Sequence, residues 1–508
     1  MAEDTLILSF DVGTTSTKAC LYKIGDAIQL INSVMKEYPI HLSDGGKAEQ
    51  NPEDWVNALV FTAGKILEET GTTSSSVKGI SFSSQMQGLV LTGKDGGPLR
   101  PAMSYMDQRA VKEKEKFGKG LAIDGIPLLK LLKSIMITGI APTSVKDPIW
   151  KYHWVREHEP DLFRKVKYWF DVKDYLIYRL TGNAVCTKDS ACATFLFDNR
   201  KGKQKWSLPL CRVYGIIPEH LPKIIDSHEI AGYLTEEIAR KTGLNPETPV
   251  FGGGGDASMI GLGAGAVRDN QAHIYMGTSG WVSVVTDKRT LDIGRKIASI
   301  TCAIPGRYHY FSEQETSGKC LEWVKNHLAL DEIGIYLEKK SVADNPESMY
   351  KNLFEYLNVV INQTPAGSNG ILFTPWLHGN RSPFEDPNAR GIFFNISLTN
   401  GKRDMIRGVV EGLAYNTLWM LESIEKKVKC RGAIRFAGGG ALSGIAAQIL
   451  ADVTGREIEV PANPHNAGAL GGAIVASLGL GLVASFRDIP DKIPAEKIYS
   501  PDRKNSVI

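Results

Sequence analysis

The chain has 508 residues, which is too long for one hydrophobic core and predicts two large domains. Its 43% hydrophobic and 23% charged residues are typical of a globular protein and exclude collagen-like and disordered chains. A formal charge of +3 leaves no excess of basic residues for nucleic acid or an anionic membrane surface. We therefore expect small-molecule chemistry, with no nucleic-acid or membrane partner.

The seven cysteines are odd in number, scattered and without a C-x-x-C pair, which indicates neither a disulfide framework nor a zinc site. They are expected to be free thiols in a reducing compartment. The first four residues, Met1 to Asp4, are acidic where a secretory signal would be basic. The expected location is therefore the cytoplasm.

The first half of the chain mixes strands and helices. Residues 6–10 predict a buried strand, residues 11–18 a turn rich in hydroxyl groups, and residues 19–22 a second strand. Residues 77–82 form another β-rich run. The segment 154–180 predicts a helix, closed by Thr181 and Gly182.

The second half opens much as the first does. A short strand at 249–251 leads into four glycines and Asp256, and a strand at 273–276 is followed by the tip 277–280 and a strand at 281–285. Strand, glycine and hydroxyl tip, strand is thus a weak internal repeat, which favours two related domains that meet at a cleft.

The rest of the second half alternates helix and strand. Residues 404–428 have helical spacing, and a strand at 434–436 leads into the glycine run 438–440. The uncharged stretch 467–486 is long enough to be considered as a membrane span. Its glycines dilute the hydropathy and no basic cluster flanks it, so we expect a helix packed inside the protein.

Three glycine-rich tips could bind phosphate, because glycines followed by small hydroxyl residues let backbone N–H groups converge. They lie at 13–15, 277–279 and 438–441. No G-x-x-x-x-G-K-[ST] motif occurs, which excludes a P-loop. Residues 261–266 match a dinucleotide fingerprint only loosely and do not follow a strand, which disfavours a nicotinamide cofactor.

Several motifs together resemble the FGGY carbohydrate kinases, most of all their xylulokinase-like members. They are DVGTTSTK at 11–18, the run that ends in Met106-Asp107-Gln108-Arg109, GGGD at 253–256, GTSG at 277–280 and GGGALSG at 438–444. Both signature segments of that family are recognisable, at 148–158 and from 391 to Glu411. The second has Asn395 where glycine is usual and Gly408 where alanine or serine is usual.

The resemblance implies an α/β protein of two ribonuclease-H-like, actin-like ATPase domains flanking a catalytic cleft. The sugar would be held mainly by residues 1–255 and ATP mainly by residues 256–508. Asp256 would be the general base, since a hydroxyl attacks phosphorus poorly unless a carboxylate accepts its proton. A helix N-cap after a glycine turn is the alternative interpretation of Asp256. Asp11 would help to hold Mg²⁺ on the phosphates.

The resemblance also implies binding residues. Those for ATP are Gly13, Thr14, Thr15, Gly277, Thr278, Gly318, Gly440, Ala441, Ser443 and Gly444. Those for the sugar are Gln85, Met86, Gln87, Tyr105, Asp107, Arg109 and Asp256 itself. Many xylulokinases have histidine at the position of Gln87, and a tryptophan-asparagine-aspartate run where this chain has Tyr105-Met106-Asp107.

The expected activity is therefore ATP-dependent phosphorylation of a sugar hydroxyl by direct in-line transfer. A ketopentose such as xylulose is the first expectation. The alternatives are another ketose, a polyol or a sugar acid, or in place of a kinase an actin-like ATP-driven switch or a sugar sensor. A homodimer is expected only because dimers are common among such kinases.

Overall fold

The computed structural model describes residues 5–118, 122–328 and 358–505, so the acidic start of the chain lies outside the described residues. The strands of the first half follow here in chain order. They are β1 (Leu6–Val12), β2 (Ser16–Ile24), β3 (Ile28–Glu37), β4 (His41–Ser43), β5 (Lys47–Gln50), β6 (Val77–Ser84), β7 (Val90–Thr92), β8 (Ala102–Met103), β9 (Ala122–Ile123), β10 (Ile126–Pro127), β11 (Tyr168–Phe170), β12 (Val185–Thr187), β13 (Phe197–Asp198), β14 (Lys205–Trp206), β15 (Lys223–Ile225), β16 (Ile230–Tyr233), β17 (Pro249–Phe251) and β18 (Gly254–Gly255). The helices are α1 (Pro52–Thr70), α2 (Val111–Phe117), α3 (Leu128–Thr138), α4 (Pro148–His158), α5 (Pro160–Phe163), α6 (Val172–Thr181), α7 (Lys188–Ala193), α8 (Leu208–Tyr214), α9 (Glu236–Thr242) and α10 (Asp256–Gly263).

The second half contains a further set of strands and helices. The strands are β19 (Ala272–Met276), β20 (Gly280–Thr286), β21 (Leu291–Asp292), β22 (Ile297–Thr301), β23 (Tyr308–Gln314), β24 (Leu372–Phe373), β25 (Phe393–Phe394), β26 (Ile434–Ala437), β27 (Ile458–Pro461) and β28 (Ala495–Tyr499). The described helices are α11 (Gly318–His327), α12 (Lys402–Glu425), α13 (Gly444–Thr454), α14 (Ala467–Gly479) and α15 (Ile489–Lys492).

Two large sheets repeat one topology. In the first, β3, β2 and β1 form an antiparallel meander, β1 continues in parallel to β6 and β17, and β16 closes the edge antiparallel. In the second, β23, β20 and β19 form the meander, β26 and β27 continue in parallel, and β28 closes the edge antiparallel. The predicted internal repeat and the α/β architecture are confirmed.

Strand β1 is buried along almost its whole length because helices cover both faces of its sheet. Helix α1 covers one face and has clear end signals. The Asn51 side chain accepts a hydrogen bond from the backbone N–H of Glu53, and Gly71 ends the helix in the left-handed conformation with φ 63°.

Helix α14 covers the other face of the first sheet, although it comes from the second half of the chain, and it also packs along α10. Glycines allow this approach, because a Cβ at Gly263 would overlap the carbonyl oxygen of Ala467 and one at Gly471 would overlap that of Met259. A Cβ at Gly472 would overlap the hydroxyl of Ser9 on β1. Residues 467–479 of the uncharged segment thus form a buried helix, as predicted, and a turn follows them. None of the described helices has the length and apolar character that crossing a membrane requires.

The predicted helix at 154–180 is wrong in its middle. Helix α4 ends at His158 because Pro160 lacks the N–H that would continue it, and the short α5 ends at Phe163. The aromatic run at 168–170 then forms β11, which pairs with β7, before α6 begins at Val172. All seven cysteines are free and buried, as the expectation of free thiols requires.

Replacing Gly471 by alanine tests the packing of α10 against α14. Overpacked cores typically lose about 1–3 kcal/mol of unfolding free energy. We expect Gly471→Ala to lose at least this much in urea unfolding. The matched control is Gly64→Ala within α1, where the added Cβ would lie 3.9 Å from its nearest neighbour, the Thr242 oxygen. That variant should gain up to about 1 kcal/mol of helix propensity. Equal stability of the two variants would contradict the packing account.

Candidate active site

The carboxyl ends of three neighbouring strands bring the two predicted cleft carboxylates together. Asp11 pairs in register with Ser83 across the parallel strands β1 and β6, and Gly254 pairs with the same serine from the other side. Asp256 follows two residues after Gly254 and begins helix α10. Side chains that follow adjacent parallel strands meet at one edge of a sheet, which is the usual ligand edge in α/β proteins.

Asp256 is partly buried, and its environment favours the protonated acid. Its Oδ1 accepts a hydrogen bond of 2.8 Å from the N–H of Ala257, as a helix-start residue can. Burial raises the pKa of Asp256 to about 7, and the negative charges of Asp11, Glu313 and Asp171 act in the same direction. This carboxylate can therefore take up a proton near neutral pH.

The pKa of Asp11 is also raised, mainly by burial. The charge of Lys18 and the nearby Ser83 hydroxyl oppose the increase. Asp11 and Asp256 are thus two carboxylates that share one edge of the sheet and act on each other electrostatically.

Two side chains outside the tip between β1 and β2 hold the backbone of the tip in place. The Tyr38 hydroxyl donates to the carbonyl of Gly13 over 2.7 Å, and the Gln50 amide donates to that of Thr14 over 2.8 Å. These contacts fix the backbone of the tip, while the side chain of Thr15 is exposed.

The loop 85–88 follows β6 and lies beside the same tip. The backbone N–H of Gln85 donates to the carbonyl of Val12 over 2.9 Å, and its side-chain amide donates to Gln50 over 3.0 Å. Met86 packs so closely on Gly255 that a Cβ there would overlap its sulfur. The structure therefore places Gln85, Met86 and the partly exposed Gln87 next to the start of α10.

The second predicted sugar loop, 104–109, is built around Asp107. This carboxylate is 0% exposed and accepts from the N–H of Ala48 over 2.8 Å and from Arg109 over 2.7 Å. Arg109 also pairs with Glu49 at 2.8 Å, whereas Tyr105 is 38% exposed. In this arrangement Asp107 shapes the loop, and direct contact of its carboxylate with a sugar would require the loop to rearrange.

In the second half, the tip between β19 and β20 docks on the start of α11. The N–H of Gly318 donates to the carbonyl of Gly277 over 2.6 Å, and that of Ser317 donates to the carbonyl of Thr278 over 3.0 Å. A Cβ at Gly318 would lie 2.6 Å from the Gly277 oxygen, so glycine is needed for this approach. The Thr278 side chain is exposed at the tip.

The glycine run after β26 packs against the residue that precedes this tip. A Cβ at Gly440 would lie 2.7 Å from the sulfur of Met276, and the neighbouring Ala441 is buried. Ser443 and Gly444 come next at the start of α13. The Ser443 hydroxyl accepts from the N–H of Ala446 and donates to the side chain of Asn358 over 2.7 Å.

The two halves meet at Tyr275 and at an ion pair. Tyr275 lies on β19, yet the charges of Asp11 and Asp256 both raise its pKa, after the larger effect of burial. Lys146 of the first half lies 3.7 Å from Glu315 of the second. Tyr275, on the strand that leads into the tip 277–279, is thus within electrostatic reach of both aspartates.

Comparison with known proteins agrees with this arrangement. Residues 6–263 match the N-terminal domain of the FGGY family of carbohydrate kinases, and residues 272–480 match its C-terminal domain. The chain belongs to this family. It is therefore a carbohydrate kinase, and the predicted resemblance is confirmed.

Similar proteins share the full length of this kinase. A xylulose kinase of Staphylococcus epidermidis is 28% identical over 98% of the chain and 93% of its own length. A gluconokinase of Bacillus subtilis is 29% identical over 97% of the chain and 91% of its own length. The crystal structure of gluconate kinase from Lactobacillus acidophilus has a TM-score of 0.83 at 25% identity, covering 99% of the chain and 94% of the solved one.

Several residues that shape the site of the kinase were not found from the sequence. Asp189 accepts from the N–H of Gly255 over 2.8 Å, next to Asp256, and Gln50 joins the tip 13–15 to Gln85. Lys151 and Asp171 hold the loop 85–88. Lys151 lies within a family signature and Asp171 lies inside the helix predicted over 154–180, so neither position pointed to the loop.

Replacing Asp256 by asparagine tests the raised pKa through stability. Between the ordinary pKa of 3.8 and about 7, the unfolded carboxylate loses its proton while the folded one keeps it, so stability falls as pH rises through this window. Asparagine cannot ionise and avoids this loss. Asp256→Asn should therefore melt at a higher temperature than the wild type at pH 8, with the difference shrinking towards pH 4.

The control for this comparison is Asp26→Asn at an exposed turn, which should show no such pH-dependent difference. An Asp256→Asn variant that melts at or below the wild-type temperature at pH 8 would show that Asp256 has an ordinary pKa.

Proposed function

We propose that the kinase transfers the γ-phosphoryl group of ATP to a hydroxyl of a neutral ketose, a ketopentose such as xylulose first of all. Asp256 acts as the general base. The observation that carries the proposal is the Asp256 carboxylate, whose pKa burial raises to about 7, at the sheet edge that also carries Asp11. A base is most effective when its pKa lies near the working pH.

Each group of cleft residues has a separate role in the proposed reaction. Asp256 accepts the proton of the sugar hydroxyl as the oxygen approaches phosphorus, and no covalent intermediate with the protein is needed. The N–H groups of Gly13 and Gly277 bond within their own tips, so the groups offered to the phosphates are those of Thr14, Thr15 and Thr278. The run 440–444 and Gly318 border the nucleoside.

The cleft fits a magnesium nucleotide. Asp11 would supply a carboxylate oxygen, the ligand type that Mg²⁺ prefers, and two neighbouring carboxylates of raised pKa are suited to a site that receives a cation. Asp11 is the residue proposed to hold the ion, which when bound offsets the charge of the phosphates. Among the described residues Asp11 belongs to no cluster of three protein ligands, so the remaining ligands would be phosphate oxygens and water.

The charges around the base favour a neutral sugar. The charged side chains that raise the pKa of Asp256 are Asp11, Glu313 and Asp171, and all three are acids. A sugar acid would bring another negative charge into this field. The nearby cations are engaged, since Lys151 donates to two backbone carbonyls and Arg381 pairs with Glu313.

A sugar acid is the second candidate, and the comparisons supply the reason. The gluconokinase of Bacillus subtilis is as similar to this chain as the xylulose kinase of Staphylococcus epidermidis is. The position of Gln87 does not decide between them, because an amide can donate to a hydroxyl or to a carboxylate.

A substrate panel tests the proposal directly. ADP release by the purified kinase with MgATP should depend on the added sugar, and a ketopentose should give a higher kcat/KM than gluconate or a polyol. Asp256→Ala should lower kcat by about 10²–10⁴-fold, the usual contribution of a general base. Asp26→Ala at the exposed turn is the control and should retain full activity. A higher kcat/KM with gluconate would select the sugar acid, and sugar-independent ATP hydrolysis would indicate a nucleotide-driven switch.

The pH dependence of the reaction tests the role of Asp256 independently. Because the unprotonated carboxylate is the active form and its pKa in the free protein is about 7, kcat/KM should fall as pH decreases below 7, approaching tenfold per unit. Measurement of kcat/KM between pH 5 and 9, with sugar and MgATP below saturation, checks this. A rate that stays constant down to pH 5 would contradict a base with this pKa.

A further inference from the structure

Gln87 has a backbone conformation that non-glycine residues rarely adopt. Its φ is 64°, in the left-handed region, although it lies in the loop beside Asp256. Such a conformation persists only where the surroundings impose it. Neighbouring groups must therefore hold Gln87 in this conformation.

Asp171 holds the peptide groups on one side. Its Oδ2 accepts from the N–H of Gln87 and its Oδ1 from the N–H of Gly88, each over 2.9 Å. The same carboxylate accepts from the N–H of Val172 over 2.8 Å and so caps helix α6. A Cβ at Gly88 would lie 3.1 Å from Asp171 Oδ1, so glycine permits the close approach.

Lys151 holds the other side. Its ammonium group donates to the carbonyl of Gln87 over 3.0 Å and to the carbonyl of Ser104 over 2.7 Å. The Lys151 side chain is fully buried, on helix α4. A buried ammonium that binds two loop carbonyls joins the loop 85–88 to the loop 104–109 at a single point.

The side-chain amide of Gln87 is available to bind a ligand. It is partly exposed, and among the described residues none makes a hydrogen bond to its amide. Its neighbour Met86 packs on Gly255, directly before the proposed base. Both peptide groups of Gln87 are thus fixed while the amide remains free for a ligand.

We propose that Lys151 and Asp171 are positioning residues that clamp Gln87 and thereby determine which sugar the kinase accepts. This inference rests on the proposed sugar site. If Lys151 and Asp171 only stabilised the fold, replacing them would lower stability alone. If they position Gln87, replacing them should change sugar affinity and selectivity without changing the binding of ATP, whose proposed sites lie on other loops.

The test uses Lys151→Met, which removes both donated bonds, and Asp171→Asn, which replaces one of the two accepting oxygens by a donating amide; both keep approximate side-chain size. KM for the sugar should rise at least tenfold, KM for ATP should stay within twofold, and the preference among sugars in kcat/KM should fall at least fivefold. The matched control is Lys173→Met, because Lys173 is equally buried but pairs with Asp174 rather than with a loop carbonyl. It should lower the melting temperature and retain the sugar preference.

Hydrogen exchange without substrate separates this inference from the proposed activity. The amides of residues 87 and 88 should exchange at least tenfold faster in Lys151→Met and Asp171→Asn than in the wild type, whether or not any sugar is phosphorylated. Unchanged exchange, an unchanged sugar KM, or an equal loss of sugar preference in Lys173→Met would each overturn the clamp. A wild type without sugar-dependent turnover would instead overturn the proposed function.

Discussion

The close packing of helices α10 and α14 is the constraint on which the rest of the structure depends. Glycines at 263 and 471 let the two backbones touch, and both helices begin at the cleft. Helix α10 begins with Asp256, and near the start of α14 a Cβ at Gly468 would lie 3.1 Å from the Asp11 carboxylate. A larger side chain in this contact would separate the helices and move Asp256 relative to the strand that carries Asp11.

The repeated topology determines what faces the cleft. Each sheet places a glycine-rich tip between its first two strands, at 13–15 and at 277–279, and the parallel order of the strands that follow brings other loop ends to the same edge. Enclosure between two such walls raises the pKa of Asp256 towards neutrality. The same burial opposes folding above the ordinary pKa of a carboxylate, so the proposed base is obtained at the expense of stability.

The sequence predicted the features that depend on neighbouring residues. The tips, most of the strands around them and a buried helix within 467–486 follow from local patterns, whereas the two cleft aspartates were expected from the family resemblance. The bonds from Asp171 to Gln87, from Lys151 to the same residue and from Asp189 to Gly255 span 84, 64 and 66 positions, so no local pattern could indicate them. The helix predicted over 154–180 failed at Pro160, a local signal, and again at 168–170, which pair with the remote strand β7. Asn395, unusual for the family, has φ 65°, a conformation that asparagine tolerates better than most residues.

The most direct test of the account is a single turnover with ATP labelled at the γ-phosphate, enzyme in excess, and the best substrate of the sugar panel. The account predicts that the label passes from ATP to the sugar, with none bound to protein at any time, and that Asp256→Asn slows this transfer while still binding ATP. Label found on the protein, or released as inorganic phosphate at the same rate without sugar, would contradict direct transfer in this cleft.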